Sequence, residues 1–301
     1  MIWFIYPNVR IFLSNELDSR LKRLYFCKMK KRIGILGCGW LGLGLSRSFV
    51  DDGYVVHGSR QSNNGADFLQ ENGIHGFVVQ VHEDQIIGDL SAFLAKVNCL
   101  FLTLPPGIRK NPKRNFVAVI QQLIPHIQNN KVQQVVFTSS TSVFGPQQGL
   151  VTPQTTPIPE SESGKQLLEV EKILLSQPHF STQIIRLGGL IGDDRHPVKQ
   201  LSKLPIVHNP EAPINLIHKT DAIGLLRYLS QQAPWQKIYH GVAPWHPTKK
   251  DFYQHAAKQL QITSPKFSSE KGATTKVVSD PYIESGAYRF VAPKLGLDLQ
   301  L

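Results

Sequence analysis

Cysteine is scarce in this sequence, with three among 301 residues. Cys27, Cys38 and Cys99 lie far apart, and none has the C-x-x-C or Cys/His spacing that metal sites use. The pattern therefore predicts neither a disulfide framework nor a metal site. It favours a reducing compartment, and we expect a cytoplasmic protein.

Long apolar runs are also missing, because no segment approaches the roughly 18 uninterrupted apolar residues that suggest a membrane-spanning helix. Runs of basic residues are absent as well, although the formal net charge is +11. Lys and Arg are scattered, and no nucleic-acid-binding motif accompanies them. We therefore expect a small-molecule partner, and neither a membrane nor a nucleic acid.

Several catalytic signatures do not occur, namely G-x-x-x-x-G-K-[ST], H-E-x-x-H and G-x-S-x-G. Their absence argues against a P-loop nucleotidase, a zinc protease and a serine hydrolase with a nucleophile elbow. Chemistry has to be sought in other motifs.

The N-terminal segment differs from the rest of the chain. Residues 1–28 carry five Lys/Arg against two Asp/Glu, and Met29 then leads directly into a strand. The charges follow the apolar stretch, and no small-residue cleavage site is present, so a signal peptide is disfavoured. We expect Met29 to be the initiator and residues 1–28 to be a doubtful extension.

From Arg32 onward, short apolar runs alternate with helical patterns. The runs predict strands at 33–36, 54–57, 76–79, 99–104, 132–138 and 182–187. Apolar residues three and four apart predict helices at 40–52, 65–72, 85–96, 112–129 and 161–176. This alternation predicts the α/β class, with residues 29–190 forming a Rossmann-type, doubly wound parallel sheet.

Beyond Gly192 the alternation loosens into proline-rich connections. Strands are predicted near 214–217 and 237–241, with helices near 220–232 and 248–260. Residues 191–301 therefore predict a small C-terminal α+β lobe that holds substrate over the carboxyl ends of the strands. The two strands also argue against a β-hydroxyacid or 6-phosphogluconate-type dehydrogenase, whose C-terminal half would be all helical.

A glycine-rich turn separates the first predicted strand from the first predicted helix. It has the pattern G-x-G-x-x-G and consists of Gly37, Cys38, Gly39, Trp40, Leu41 and Gly42. The first glycine permits a tight turn, the second a close approach to phosphate and the third close packing of the helix. The positive helix end then faces the phosphates. We predict that the turn binds the pyrophosphate of NAD(P), the alternative being a turn packed for structural reasons.

The second predicted strand ends at Ser59 and Arg60, about twenty residues past the turn, where NAD enzymes present an acid to the ribose. A hydroxyl and a guanidinium suit a 2′-phosphate, so NADP is favoured over NAD. The alternative is that Arg60 only begins a solvated loop. Thr103, Leu104 and Pro105 are expected to line the adenine or ribose path, or equally to form a braced loop outside the site.

Four more segments carry a family resemblance: 139–145 (S-S-T-S-V-F-G), 165–169 (K-Q-L-L-E), 186–192 (R-L-G-G-L-I-G) and 215–221 (N-L-I-H-K-T-D). They resemble the S-S-x-x-V-Y-G, Y-x-x-x-K-x-x-x-E, R-x-x-x-x-x-G and N-x-V-H-x-x-D motifs of extended short-chain dehydrogenases/reductases. The glycine turn, the T-S-S-T-S-V block and the G-D-D-R-H-P segment at 192–197 are similar to the atypical YeeZ-like branch of that family. The resemblance spans nearly all of residues 30–241.

The resemblance implies an NAD(P)-dependent oxidoreductase or epimerase-like enzyme that acts on a small polar or sugar-like metabolite and pairs as a homodimer. It places Ser140 at the family's catalytic serine and Lys165 at its lysine, which also holds the nicotinamide ribose. Ser161 stands where the family has its tyrosine. Because a serine hydroxyl is too weak an acid for that role, a catalytically weak or inactive NAD(P)-binding sensor or scaffold is the alternative.

Other groups are expected to face the substrate end of the cofactor, namely Arg195, His196, Asn215 and His218. Histidine titrates near neutrality, so His196 is a candidate proton donor. The alternative for each histidine is a structural hydrogen bond, and Asn215 also suits a structural role.

Overall fold

The computed structural model describes residues 31–192, 194–232, 237–270, 272–280, 283 and 288–295. The expected extension, residues 1–28, and the expected initiator Met29 lie outside these ranges. None of the helices in the described ranges combines the length and apolar character needed to cross a bilayer.

Twelve named strands occur in the described ranges. In chain order they are β1 (Arg32–Leu36), β2 (Val55–Arg60), β3 (His75–Val81), β4 (Ile86–Gly88), β5 (Cys99–Leu102), β6 (Gln134–Ser140), β7 (Leu150–Val151), β8 (Ser181–Leu187), β9 (Gly189–Ile191), β10 (Leu216–His218), β11 (Lys237–Gly241) and β12 (Lys276–Val277). Eight of them form one sheet in the order β11-β8-β6-β5-β1-β2-β3-β4, parallel except for β4. The chain crosses from one side of β1 to the other between β3 and β5, which makes β1 the switch point where open α/β sheets bind ligands.

Eight α-helices accompany these strands in the same ranges. They are α1 (Trp40–Asp51), α2 (Asn63–Glu71), α3 (Leu90–Leu94), α4 (Phe116–Asn129), α5 (Glu162–Leu175), α6 (Val198–Leu201), α7 (Lys219–Ser230) and α8 (Lys249–Gln259). One core joins α3, α4 and α5 to the sheet, and a second joins α1 and α7 to it. Along β5, Leu100 and Leu102 enter the first core and Phe101 enters the second, as the two-residue period of a strand requires. The predicted α/β, doubly wound architecture is confirmed.

The helix predicted over 85–96 is wrong in its first half. Residues 86–88 form β4, antiparallel to β3, and only the five residues of α3 are helical. Gly88 turns the chain with a φ of +96°, and the Asp89 carboxylate accepts the Ala92 N–H at 2.7 Å to begin the helix. A short apolar run does not distinguish strand from helix, and pairing with β3 decides it.

β11 returns to the large sheet from beyond residue 190. It pairs in parallel with β8, and Tyr239 is buried in the second core. The division expected at residue 190 therefore does not separate the sheet from the lobe. β9, β10, α6 and α8 surround a third core that includes Val198, Leu216 and Phe252.

Candidate functional site: a cationic cleft at the glycine turn

Side chains from two neighbouring strands hold the glycine turn between β1 and α1. Gly37 has a φ of +104°, and its N–H donates to the Ser59 hydroxyl at 2.9 Å. The Thr103 hydroxyl donates to the carbonyl oxygen of Gly37 at 2.8 Å, and the Gly39 N–H reaches the same oxygen at 2.7 Å. The ends of β2 and β5 thus fix the turn from both sides.

Gly39 and Gly42 differ in the space that is available for an added side chain. A Cβ on Gly42 would overlap the carbonyl oxygen of Gly37, whereas the nearest atom to a Cβ on Gly39 lies 4.0 Å away. Gly39 is the N-cap of α1, which has no side-chain cap and no acid in its first turn. No side chain therefore accepts from the first N–H groups of α1, and the space beside Gly39 is open. This arrangement suits an anion.

A cleft of about 770 Å³ opens around this turn. Eleven of the twelve predicted cofactor-binding residues line it, namely Gly37, Cys38, Gly39, Trp40, Leu41, Gly42, Ser59, Arg60, Thr103, Leu104 and Pro105. Its lining, taken over the described residues, contains no Asp or Glu, but it contains the guanidinium-bearing residues Arg60, Arg114 and Arg195. The cleft is therefore positively charged and suited to an anionic ligand.

Cys38 contributes to the turn as a small, inert side chain. Its sulfur lies 3.2 Å from the Ser46 hydroxyl, and the residue is fully buried. Burial raises the pKa of the Cys38 thiol, so the reactive thiolate is disfavoured. The site offers no cysteine redox chemistry at this position.

Arg60 ends β2 and lines the cleft beside the glycine turn. A Cβ on Gly65 would lie 2.8 Å from the Cβ of Arg60, so this glycine gives the arginine room. The Arg60 Nε is buried without a hydrogen-bond partner in the described residues. Ser62 caps α2 by accepting the Gly65 N–H at 3.2 Å. The orphaned nitrogen points to a missing acceptor near the end of β2.

Arg114 is a cleft residue that the sequence interpretation missed. It follows the loop after β5, and its guanidinium lies against Gly107, which has a φ of +76°. The Arg114 carbonyl oxygen accepts the Gln166 amide at 3.1 Å, which anchors the loop to α5. The only local signal was a basic stretch at 109–114, which by itself reads as a solvated loop.

Of the four predicted catalytic residues, only Ser140 lines the cleft. Its Oγ accepts the Ser142 N–H at 3.1 Å, so its own hydrogen remains available to donate. Ser161 instead caps α5, accepting the Gly164 N–H at 3.1 Å. Lys165 is exposed on the first turn of the same helix, outside the cleft lining.

The other substrate-side candidates lie in the lobe, and of them only Arg195 lines the cleft. His196 stacks on Phe252 with ring centres 5.7 Å apart, and burial lowers its pKa. The amide of Asn215 ties β10 to β12, donating to the Thr275 carbonyl and accepting the Val277 N–H, each at 2.8 Å. His218 is the N-cap of α7. The structure gives these three side chains contacts of a structural kind.

Comparison with known proteins identifies the family. No family model matches the chain. Protein YeeZ of Escherichia coli strain K12 is 33% identical over 240 residues, which span 79% of this chain and 86% of YeeZ. The chain belongs to the YeeZ branch of the extended short-chain dehydrogenase/reductase family.

Solved structures share the fold of this YeeZ-family chain. An NAD-dependent epimerase/dehydratase-type protein from Methylobacillus flagellatus superimposes with a TM-score of 0.71 at 22% identity, covering 88% of this chain and 94% of that one. UDP-glucuronic acid 4-epimerase from Bacillus cereus, solved with NAD, gives 0.69 at 17% identity, covering 89% and 96%. At these identities the likeness concerns the fold alone.

A buried ion pair supports the serine-bearing floor of the cleft in this YeeZ-family protein. The Arg186 guanidinium on β8 donates to both oxygens of Glu171 on α5, with Nη2 2.6 Å from Oε2. Their side chains are only 3% and 1% exposed. The Ser139 hydroxyl, beside Ser140, donates to the same carboxylate at 2.6 Å. The pair thus ties β6, β8 and α5 together below the cleft.

His240 lies on β11 beside this pair and is fully buried. Its Nδ1 is 3.1 Å from the carbonyl oxygen of Val278, and its ring meets Phe144 edge-on at 5.3 Å. Burial lowers the pKa of His240 to about 4, and the positive charge of Arg186 contributes to the lowering. The native ring is therefore neutral near pH 7.

We expect acid to weaken the native state through His240. Between pH 6.5 and about 4, the unfolded chain binds a proton at this site that the native protein excludes, so stability falls as pH falls. The full shift from 6.5 to about 4 corresponds to at most about 3.4 kcal/mol. Urea unfolding at about pH 7 and about pH 5 should show His240→Gln losing about 2 kcal/mol less than the unaltered protein. The other histidines are present in both proteins, so their contributions to the pH dependence cancel. Equal losses of unfolding free energy in the two proteins would contradict the lowered pKa of His240.

Proposed function

We propose that this YeeZ-family protein binds NADP in the cationic cleft and acts as an NAD(P)-dependent oxidoreductase or epimerase-like protein on a small polar or sugar-like metabolite. The observation that carries the proposal is the uncapped N-terminus of α1 beside the open side of Gly39. That geometry suits a diphosphate. The structural neighbour that is a UDP-glucuronic acid 4-epimerase, solved with NAD, supports the sugar-like substrate and the nicotinamide cofactor.

The residues beside the turn fit the adenosine half of NADP. The Ser59 side chain is buried against the turn, where its hydroxyl accepts the Gly37 N–H, so the choice between NAD and NADP falls chiefly to Arg60. Arg60 lines the cleft, and the terminal N–H groups of its guanidinium can donate to a 2′-phosphate. Among the described residues, no carboxylate lines the cleft to receive the two ribose hydroxyls of NAD.

Arg60→Ala should weaken NADPH binding by about 10- to 100-fold and leave NADH binding within about twofold, because only NADPH carries the 2′-phosphate. Calorimetric titration of both cofactors measures this. Arg109→Ala is the matched control, since Arg109 is exposed and does not line the cleft. Tighter binding of NADH than NADPH to the unaltered protein would contradict the NADP preference.

Ser140 is the residue best placed to orient a substrate oxygen. It lies at the end of the cleft formed by β6 and β8, and its free hydroxyl hydrogen can donate to a carbonyl or hydroxyl oxygen. A bound nicotinamide cofactor supplies reversible hydride transfer. Lys165 lies on α5, the helix whose Leu167 lines the cleft, and the family resemblance implies that it holds the nicotinamide ribose.

A second candidate function is cofactor binding without turnover. The ionisable residues that line the cleft in the described part of the chain are Cys38 and the three arginines, none of which is a proton donor near neutrality. Ser161, in the place of the family tyrosine, is occupied as a helix cap. A metabolite screen followed by nicotinamide absorbance separates the two functions. Tight NADPH binding with no change in absorbance for any candidate would favour a sensor or scaffold.

A further inference from the structure

Arg114 lies on a largely apolar wall of the cleft. The cleft residues that belong to the first core or pack against it are Leu36, Val79, Val81, Leu104 and Leu167. They face the side of the sheet that carries α3, α4 and α5. Arg114 stands two residues before α4 and lines the cleft from this same side. Its guanidinium therefore borders aliphatic side chains.

Arg60 enters the cleft from the opposite side of the sheet. A Cβ on Gly65 of α2 would lie 2.8 Å from its Cβ. Leu69 of the same helix packs in the second core, which also contains α1. The guanidinium groups of Arg60 and Arg114 thus approach one cleft from two opposite layers of the fold.

A hydrogen bond places Arg114 beside the carboxyl end of β3. The N–H of the next residue, Asn115, donates to Oε1 of Glu83 at 2.8 Å, and Glu83 follows β3 by two residues. In the sheet, β3 is the neighbour of β2. In the proposed function the diphosphate lies at the end of β1 and the adenosine ribose at the end of β2. The base, which extends from this ribose away from the diphosphate, then reaches the end of β3.

The guanidinium of Arg114 is held in place before any ligand arrives. Its Cδ and Cζ would each lie 3.3 Å from a Cβ on Gly107, so the glycine lets the side chain pack closely on the backbone. The Gln166 amide donates to the Arg114 carbonyl oxygen at 3.1 Å and anchors the segment to α5. The guanidinium forms no ion pair with a described residue. A fixed planar cation among apolar neighbours suits stacking on an aromatic ring.

We propose that Arg114 stacks on the adenine ring of the bound dinucleotide, against the apolar floor that Val79 and Val81 form, and that Gly107 is a positioning residue for its guanidinium. This inference rests on the proposed function, because it needs the dinucleotide in this cleft. The phosphates have the first N–H groups of α1 and Arg60 as partners on the opposite side. Adenine is the group of this half of the cofactor that is left for the apolar wall.

The test titrates the full chain with NAD⁺, NADP⁺ and inorganic pyrophosphate, each in competition with NADPH. Arg114→Leu should weaken NAD⁺ and NADP⁺ binding by the same factor, about tenfold, because both contain adenine. Pyrophosphate, which has no base, should bind within about twofold of its affinity for the unaltered protein. Arg109→Leu is the matched control from the same loop, exposed and outside the cleft lining, and it should change none of the three affinities.

Other outcomes would overturn the stacking role. Weakening of NADP⁺ alone would make Arg114 a ligand of the 2′-phosphate, and equal weakening of all three ligands would make it a ligand of the diphosphate. Arg114→Lys keeps the charge and loses the plane, so it should bind NAD⁺ at least about fivefold more weakly than the unaltered protein. Full NAD⁺ affinity in this variant would show that charge alone matters. Failure of the unaltered protein to bind either dinucleotide would overturn the proposed function as well, so the two failures are distinguishable.

Gly107→Ala tests positioning, because the new methyl group would overlap the Arg114 guanidinium. It should weaken NAD⁺ binding about three- to tenfold in the otherwise unaltered protein and have no further effect in the Arg114→Leu variant. The φ of +76° at Gly107 should lower the melting temperature in both backgrounds. Equal weakening of NAD⁺ binding in the two backgrounds would overturn the positioning role, because Gly107 would then act on the loop without Arg114.

Discussion

Gly39→Ala should bind NADP⁺ about 100-fold more weakly than the unaltered protein and remain as stable to within about 0.5 kcal/mol. The nearest described atom to the new methyl group is the Gly37 carbonyl oxygen at 4.0 Å, and the φ of Gly39 is −77°, which alanine adopts. The methyl group would stand, however, in the space that the phosphates need to reach the first N–H groups of α1. Calorimetric titration and urea unfolding measure the two quantities.

Gly53→Ala is the complementary control. Gly53 has a φ of +80° and lies outside the cleft lining, and a Cβ added to it would meet no described atom within 4 Å. Alanine there should cost about 1 kcal/mol of stability through backbone strain and leave cofactor affinity unchanged. If Gly39→Ala also bound NADP⁺ normally, the turn would not be the diphosphate site, and the placement of the cofactor in this cleft would be refuted.

Glu171→Gln should lower the free energy of unfolding by about 3–5 kcal/mol, because it leaves the buried Arg186 charge without its counter-ion. The amide retains the size of the carboxylate, so the loss reports charge rather than a cavity. It also weakens the acceptor of the Ser139 hydroxyl at the cleft floor. Urea unfolding at neutral pH measures the change.

The matched control for this substitution lies on the same helix. Glu169 forms an exposed pair with Lys172, with 3.7 Å between the charged atoms and side chains 52% and 67% exposed. Glu169→Gln should change stability by less than about 1 kcal/mol, because water already screens the pair. Similar losses in Glu169→Gln and Glu171→Gln would refute the structural role of the buried pair.

Local pattern predicted most of the strand and helix order and the position of the glycine turn. β1, the turn and α1 follow one another directly, and Gly37 and Gly42 occupy places that chain geometry assigns to glycine. The family resemblance was confirmed by the likeness to YeeZ. Ser161, which stands where the family has its tyrosine, caps α5 by accepting the Gly164 N–H, and its consequence for catalysis stays a prediction.

Contacts between segments that lie far apart in the chain could not be predicted from the sequence. Trp40 and Asp194 are 154 positions apart, and nothing local links an indole in the turn to an aspartate in the lobe. Arg114 enters the cleft only because its loop folds back against Gly107 and α5. His196 was predicted beside the cofactor, but its ring packs on Phe252 instead.

Residue order alone was enough to specify the alternating strands and helices and the glycine turn, because these depend on residues within one or two turns of each other. The folded chain was needed to show which arginines line the cleft, that β11 completes the large sheet, and that Glu171 pairs with Arg186. Charge placement and strand pairing depend on which distant segments contact each other in the folded chain. Hydrophobic periodicity reports only local structure and does not predict these contacts.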